Sequence, residues 1–154
     1  MAAPRYRFRN LLPTLVALSV AGVAAADGRV EVATASAPAG TDARIKQALS
    51  ESVRSQIVVA GLEPKLHGYS ISPSLIQLRR FIEPGQKQAR TVCVVELGLN
   101  DAQQGLVANV RGNASSFGAS PRATLDAAAQ AAVDRLPETL SALQDTRRPR
   151  VASR

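Results

Sequence analysis

Two runs of alternating apolar and polar residues restrict the fold of this chain more than any other feature of its sequence. Residues 91–100, TVCVVELGLN, place four apolar side chains on one face of a strand: Cys93, Val95, Leu97 and Leu99. Residues 106–114 alternate in the same way, and the set expected to face the core is Leu106, Ala108, Val110 and Ala114. A period of two residues is typical of a strand with one buried face, so the runs predict a β-hairpin that turns between Asp101 and Gly105.

The segment 69–82, YSISPSLIQLRRFI, fits two structures. As a helix it would bury Leu75, Leu78 and Ile82. As a strand it would place Ile76 on one face with Leu78 and Ile82. We favour the strand, because the next four residues, EPGQ, have proline and then glycine at their centre. That pattern is typical of a type II turn, which would lead into the following strand.

Two helices are predicted from apolar residues at helical spacing. The first covers about residues 42–60, and the second begins after the capping residue Ser120 and is kinked or restarted by Pro137. The first apolar stripe is Ile45, Ala48, Leu49, Val53, Ile57 and Ala60, and the second is Leu125, Ala128, Ala129, Ala132, Val133 and Leu136.

The order of these elements predicts an α+β fold. A short first strand within residues 28–37 completes the order β-α-β-β-β-α. An antiparallel meander sheet with two helices packed on one face is the economical arrangement for that order. Because the chain has no Trp, two Tyr and three Phe, its core must be built from Val, Leu, Ile and Ala. Residues 27–145 are long enough for a single domain.

A resemblance rests on the run VCVVELGLNDAQQGLVANVRGNAS and the alanine-rich helix that follows it. Over residues 28–143 the chain resembles the small α/β domains of bacterial envelope accessory proteins. These include outer-membrane assembly lipoproteins, the penicillin-binding-protein activator lipoprotein and the amino-terminal domain of TolB. The resemblance implies a domain that works outside the cytoplasm. The lipid-attachment cysteine of many such proteins is absent, so the resemblance does not extend to a lipid anchor.

Residues 1–26 have the three parts of a cleavable signal peptide. Arg5, Arg7 and Arg9 form a positive first region, LLPTLVALSVAGV is the apolar run, and the AAA that ends at Ala26 is the cleavage site. An uncleaved membrane anchor is the alternative. The apolar run is shorter than the roughly 20 residues that a spanning helix needs, and it is interrupted by proline. We therefore expect an exported protein, periplasmic or extracellular.

The positive charge of the chain belongs to its two ends. The formal net charge is +7, yet residues 27–145 hold as many acidic as basic residues, 12 of each. Four arginines lie in the last eight residues, and we expect residues 146–154 to form a basic, disordered tail. A nucleic-acid-binding domain would carry its basic patch on the fold itself, so nucleic acid is not an expected partner.

The sequence offers little for catalysis. Cys93 and His67 are the only cysteine and the only histidine, and hence the only thiol–imidazole pair available. Cys93 shares a face with apolar residues, so we expect a buried structural thiol. The carboxylates have no spacing that would bring two of them into one cleft, and we expect them to be solvated. We predict no catalytic residue, no metal site and no cofactor.

Two surfaces are candidates for binding. Alternation places a mixed polar and apolar set on the sheet face opposite Cys93, as a partner surface: Val92, Val94, Glu96, Asn109, Arg111 and Asn113. The hairpin that turns at residues 83–86 and the tail are basic. They could contact an anionic group through Arg79, Arg80, Lys87, Arg90, Arg147, Arg148 and Arg150. A solvated sheet face and a hairpin whose charges prevent edge pairing are the alternatives.

Together these features predict an exported, non-enzymatic binding or assembly-accessory domain of the cell envelope. Its partner would be an envelope protein, an anionic envelope surface or further copies of the chain. Two other functions stay open. One is a small periplasmic enzyme that uses Cys93 or surface carboxylates, and the other is a self-associating structural domain.

Overall fold

The computed structural model describes residues 29–147 and has the predicted α+β fold. Its elements are β1 (Glu31–Val32), α1 (Ala43–Val59), a 3-10 helix (Glu63–Leu66), β2 (Tyr69–Phe81), β3 (Arg90–Asp101), β4 (Gly105–Phe117), α2 (Pro121–Val133) and α3 (Leu136–Arg147). The predicted signal peptide and residues 148–154 of the predicted tail lie outside the described residues.

The four strands form one sheet in the order β1-β2-β3-β4. Strands β2, β3 and β4 make the predicted antiparallel meander. The prediction of a wholly antiparallel sheet is wrong at one edge, where Glu31 of β1 pairs in parallel with Ser70 of β2. The helix α1 connects β1 to β2, and a crossover through a helix returns the chain in the same direction, so these strands run parallel and the sheet is mixed.

Residues 69–81 form a strand, as favoured from the sequence. The turn that follows has the predicted type II character. The Gln86 N–H donates to the Glu83 carbonyl at 3.0 Å, and Gly85 has a φ of 82°. A positive φ at the third residue of a type II turn is a conformation that glycine adopts without strain.

Two β-bulges change which side chains face the core. The first skips Ile76 between Leu75 and Gln77, and the second skips a residue of β4 between Leu106 and Ala108. An extra residue reverses the alternation of a strand beyond it. Leu106 is therefore 57% exposed, and the prediction that it faces the core is wrong. Ile76 is 44% exposed and does not share one face with Leu78, as the strand prediction had it.

The helices cover one face of the sheet, and the core lies between. Cys93, Val95, Leu97 and Leu99 have no exposed surface, as predicted for this face of β3. The helix α2 and the strand β4 approach each other closely at Gly112, where any Cβ would overlap the backbone of α2 at Ala128 and Ala132. Small side chains on α2 and a glycine on β4 thus let the helix lie directly on the strand.

A third helix continues the path of α2. The helix α2 ends at Val133, and α3 begins at Leu136 with Pro137 in its first turn, as the proline predicts. The Arg135 guanidinium donates to the Arg111 carbonyl of β4 at 2.9 Å, and the last residue of α3, Arg147, reaches Asp101. The two helices together therefore follow β4 along its length.

Candidate interaction surface

The face of β2, β3 and β4 opposite the helices is uncovered in the described part of the chain. We call it the open face. On it Val92 lies beside Ser115 of β4. Two further cross-strand pairs follow: Val94 with Asn113, and Glu96 with Arg111. Asn109 lies opposite Gly98 in the next row. The structure therefore brings together all six residues of the predicted partner surface.

One ion pair crosses the open face. The Arg111 guanidinium lies 2.8 Å from a Glu96 carboxylate oxygen, and the arginine side chain is 60% exposed. An exposed ion pair contributes at most about 1 kcal/mol to stability, and in this place it also cancels the charge at the middle of the face. Val92 and Val94 lie half-buried beside this pair, with Arg79 and Gln77 opposite them on β2. The centre of the face is therefore a small apolar area among polar side chains.

The predicted basic hairpin lies at one end of the sheet. Arg90 forms an ion pair with Glu83 at 2.7 Å, and its guanidinium carbon lies 5.5 Å from the centre of the Phe117 ring. Arg79 and Arg80 are exposed near the end of β2, and Lys87 lies in the connection. Among residues 29–147 these three cations form no ion pair, so they are the charges available to a partner.

Arg147 is not part of a free tail, and on this point the prediction is wrong. Its guanidinium lies 2.9 Å from a carboxylate oxygen of Asp101 and 5.7 Å from the centre of the Tyr69 ring. The backbone N–H of Gln103, the Arg147 side chain and the N–H of Gln104 lower the pKa of Asp101, in that order of effect. Arg147 thus connects the end of α3 to the turn between β3 and β4.

The two predicted anionic contacts are far apart. The hairpin is at the Arg90 end of β3, and Arg147 is at the Asp101 end. The 12 residues of β3 span about 40 Å at the usual rise of a strand. The hairpin cations and Arg147 therefore belong to separate surfaces, while Arg148 and Arg150 lie outside the described residues.

The structure does not bring Cys93 and His67 together. Cys93 is fully buried beside Ala114, and burial raises the pKa of its thiol to about 11. His67 is exposed just before Tyr69, which pairs with Asp101, eight residues along β3 from Cys93. Eight residues of strand correspond to roughly 27 Å, which is beyond the reach of a proton transfer.

The bonded carboxylates of residues 29–147 accept from an arginine, from a backbone N–H group or, at Glu51, from the Gln47 side-chain amide, and none of them is bonded to a second carboxylate. In this part of the chain no three His, Cys, Asp or Glu side chains gather as a metal site would require. Nor does it include a helix whose length and hydropathy would suit a bilayer span.

A cleft and three exposed apolar side chains were not predicted from the sequence. The cleft, of about 220 Å³, lies between the first turns of α1 and α2 over Leu78. Phe81, Ile82 and Phe117 are exposed at the same end of the sheet. A signal for Ile82 was its place between Arg80 and Glu83, directly before the predicted turn.

No protein-family model matches the sequence, and no curated protein is similar enough to count as a match. The chain is similar to several solved structures of bacterial proteins. A PelC variant from Paraburkholderia phytofirmans, crystallised as a dodecamer, is 16% identical, covering 73% of this chain and 86% of PelC, with a TM-score of 0.48. A minor lipoprotein from Acinetobacter baumannii is 12% identical, covering 71% of this chain and 94% of the lipoprotein, with a TM-score of 0.47.

A protein from Xanthomonas campestris, assigned to the DUF330 family, is 15% identical. The match covers 78% of this chain and 88% of that protein, with a TM-score of 0.43. At 12–16% identity, such similarities concern the fold alone.

Proposed function

We propose that the chain is an exported, non-catalytic binding domain of the cell envelope that binds a partner protein reversibly through the open face of its sheet. The observation that carries the proposal is the uncovered face itself, on which two valines of β3, Val92 and Val94, lie among polar side chains. Export is supported by the signal-peptide pattern of residues 1–26. The absence of a catalytic step is supported by the buried Cys93 and its distance from His67.

The size of the open face suits a reversible complex. Three strands of 12–13 residues present a face of about 40 by 14 Å, which is roughly 550 Å². A partner of matching size would bury about 1,100 Å² in total, at the lower end of specific interfaces. Complexes of this size are typically transient.

The composition at the centre of the open face, around Val92, Val94 and Glu96, favours a separately folded partner over a permanent homodimer. Permanent homodimer interfaces are more apolar than the rest of a protein surface. Here Val92 and Val94 have Ser115 and Asn113 as neighbours, and Glu96 is paired with Arg111. Such a face is stable in water when the partner leaves.

The test begins with photo-crosslinking in intact cells. A photoreactive residue at the exposed position 113 should give one defined adduct with an envelope protein, and the same residue at position 59, on the exposed end of α1, should not. The partner is then purified and its affinity measured. The Val94→Asp variant should bind it at least about tenfold more weakly, because a carboxylate would be desolvated in the interface.

The matched control is Val59→Asp, since Val59 is 80% exposed on α1. It should bind with unchanged affinity. Equal binding by the Val94→Asp variant would contradict the proposal. An adduct of twice the chain mass would contradict it in favour of a second copy as the occupant.

A further inference from the structure

Both phenylalanines of residues 29–147 lie on the surface, at the hairpin end of the sheet. Phe81 is 42% exposed and Phe117 is 49% exposed, and the adjacent Ile82 is 67% exposed. Phe81 and Phe117 flank Arg90 in one cross-strand row. Aromatic side chains are normally a large part of a protein core. Here the core is built of smaller side chains and both phenylalanines are exposed, which indicates that this apolar surface serves an interaction.

Positive charge surrounds this apolar tip. We call residues 79–90 the basic hairpin. Arg79 points to the open face, Arg80 to the opposite face, and Lys87 lies in the connection between the strands. The one acidic residue of the hairpin, Glu83, is paired with Arg90. Because the unpaired cations lie on both faces and at the tip, the hairpin suits a charged plane that it approaches end-on.

The helices at this end of the molecule also contribute positive charge. The first turns of α1 and α2 meet over Leu78, so both helices direct the positive ends of their dipoles towards the hairpin end. The other acidic residues there are already engaged. Asp42 accepts a hydrogen bond from the Arg44 N–H, and Asp126 is paired with Arg122.

We infer that the basic hairpin binds an anionic phospholipid bilayer. Phe81 and Ile82 enter the interfacial region, and Arg79, Arg80 and Lys87 contact the headgroup phosphates. A soluble phosphate or an acidic protein segment would neutralise the cations but leave the apolar tip in water. A bilayer interface accepts both, because apolar side chains reach the acyl boundary while long basic side chains extend back to the headgroups.

Insertion is tested with a single fluorophore, since the chain has no tryptophan. The exported protein carrying Ile82→Trp is mixed with vesicles of phosphatidylglycerol and phosphatidylcholine. Its emission should shift to the blue and be quenched by brominated lipid. The Val59→Trp variant places the probe on the end of α1 away from the hairpin, and its emission should not change.

The charge contribution is tested by vesicle sedimentation. Each basic residue near an anionic surface changes partitioning by about fivefold, so Arg80→Gln with Lys87→Gln should weaken binding about thirtyfold. The control pair is Arg29→Gln with Lys65→Gln, exposed cations at the other end of the sheet, which should weaken binding less than about threefold. The termini are the same in every variant, so differences between variants report the hairpin.

Each remaining outcome would overturn the inference. Pure phosphatidylcholine vesicles binding as well as the anionic ones would remove the electrostatic basis. Unchanged Ile82→Trp emission on bound vesicles would show that the tip stays in water. Complete displacement by soluble glycerol 3-phosphate would identify a free phosphate as the ligand. The Val94→Asp variant should keep full vesicle binding, which separates this inference from the proposed function.

Discussion

Thr91 and Thr124 are both buried, but only one has its hydroxyl bonded. The Thr124 hydroxyl lies 2.6 Å from the Ser116 hydroxyl and also contacts the Ser120 carbonyl. The Thr91 side chain has no exposed surface, and its hydroxyl has no hydrogen-bond partner among residues 29–147. A buried hydroxyl without a partner has lost its bonds to water and gained none in return.

Thr91→Val should therefore stabilise the protein, because valine has nearly the same shape and no hydroxyl. We expect a gain of about 1 kcal/mol in the free energy of unfolding, measured by urea denaturation. The same substitution at Thr124 removes a bonded hydroxyl, and we expect a loss of about 1 kcal/mol. If both variants change the free energy of unfolding in the same direction, the assignment of an unbonded hydroxyl to Thr91 and a bonded one to Thr124 would be contradicted.

At the scale of elements, the sequence predicted the strands and helices better than the faces they present. The pairing of Val94 with Asn113 and of Glu96 with Arg111 could be predicted, because β3 and β4 alternate without interruption there. The bulge at Ile76 could not, since an inserted residue looks like any other until the partner strand is known. The role of the predicted partner surface stays a prediction.

The same limit applies to the basic residues. The charges of the hairpin were visible in the sequence, but the exposure of Phe81 and Phe117 depends on where the helices end on the sheet. The contact of Arg147 with Asp101 joins residues 46 positions apart, and no local pattern encodes it. Tertiary packing decided these features.

The contact of α2 with β4 depends on Gly112. A Cβ there would overlap the Ala128 carbonyl and the Ala132 N–H group, and would lie 2.8 Å from the Ala132 Cβ. Because backbone cannot move aside as a flexible side chain can, Gly112→Ala should force the helix away from the strand. We expect a loss of at least about 2 kcal/mol in the free energy of unfolding, measured by urea denaturation.

Gly98→Ala is the matched control on the same sheet. Its Cβ would lie 3.1 Å from a Leu106 methyl group, and Leu106 is 57% exposed and free to turn away. We expect a change within about 0.5 kcal/mol. A similar loss for both variants would show that the sheet as a whole rejects side chains at its glycines, independently of α2.

At the scale of the whole molecule, Asp101 and Arg147 join the last helix to the turn between β3 and β4. The backbone N–H of Gln103 and the Arg147 side chain lower the pKa of Asp101 below its usual value of 3.8. A carboxyl group with a lowered pKa stabilises the fold above its unfolded pKa. That stabilisation is lost as the pH falls through the folded pKa.

Asp101→Asn should therefore lower the free energy of unfolding near neutral pH. The difference from the wild type should shrink as the pH falls below about 4. Denaturant unfolding at several pH values measures both. Asp145→Asn, at an exposed carboxylate of α3, is the control and should differ little from the wild type. A deficit of the Asp101→Asn variant that is the same at every pH would contradict the role of the ionised carboxylate.

The described chain begins and ends at the same end of the sheet. Glu31 pairs with Ser70, and the Arg147 guanidinium lies over the ring of the neighbouring Tyr69. The basic hairpin is at the other end, about 40 Å along the strands. The sheet thus separates the two ends of the described chain from the hairpin by its full length. A second molecule joined to residue 29 or to residue 147 would therefore lie about the length of the sheet away from the basic hairpin.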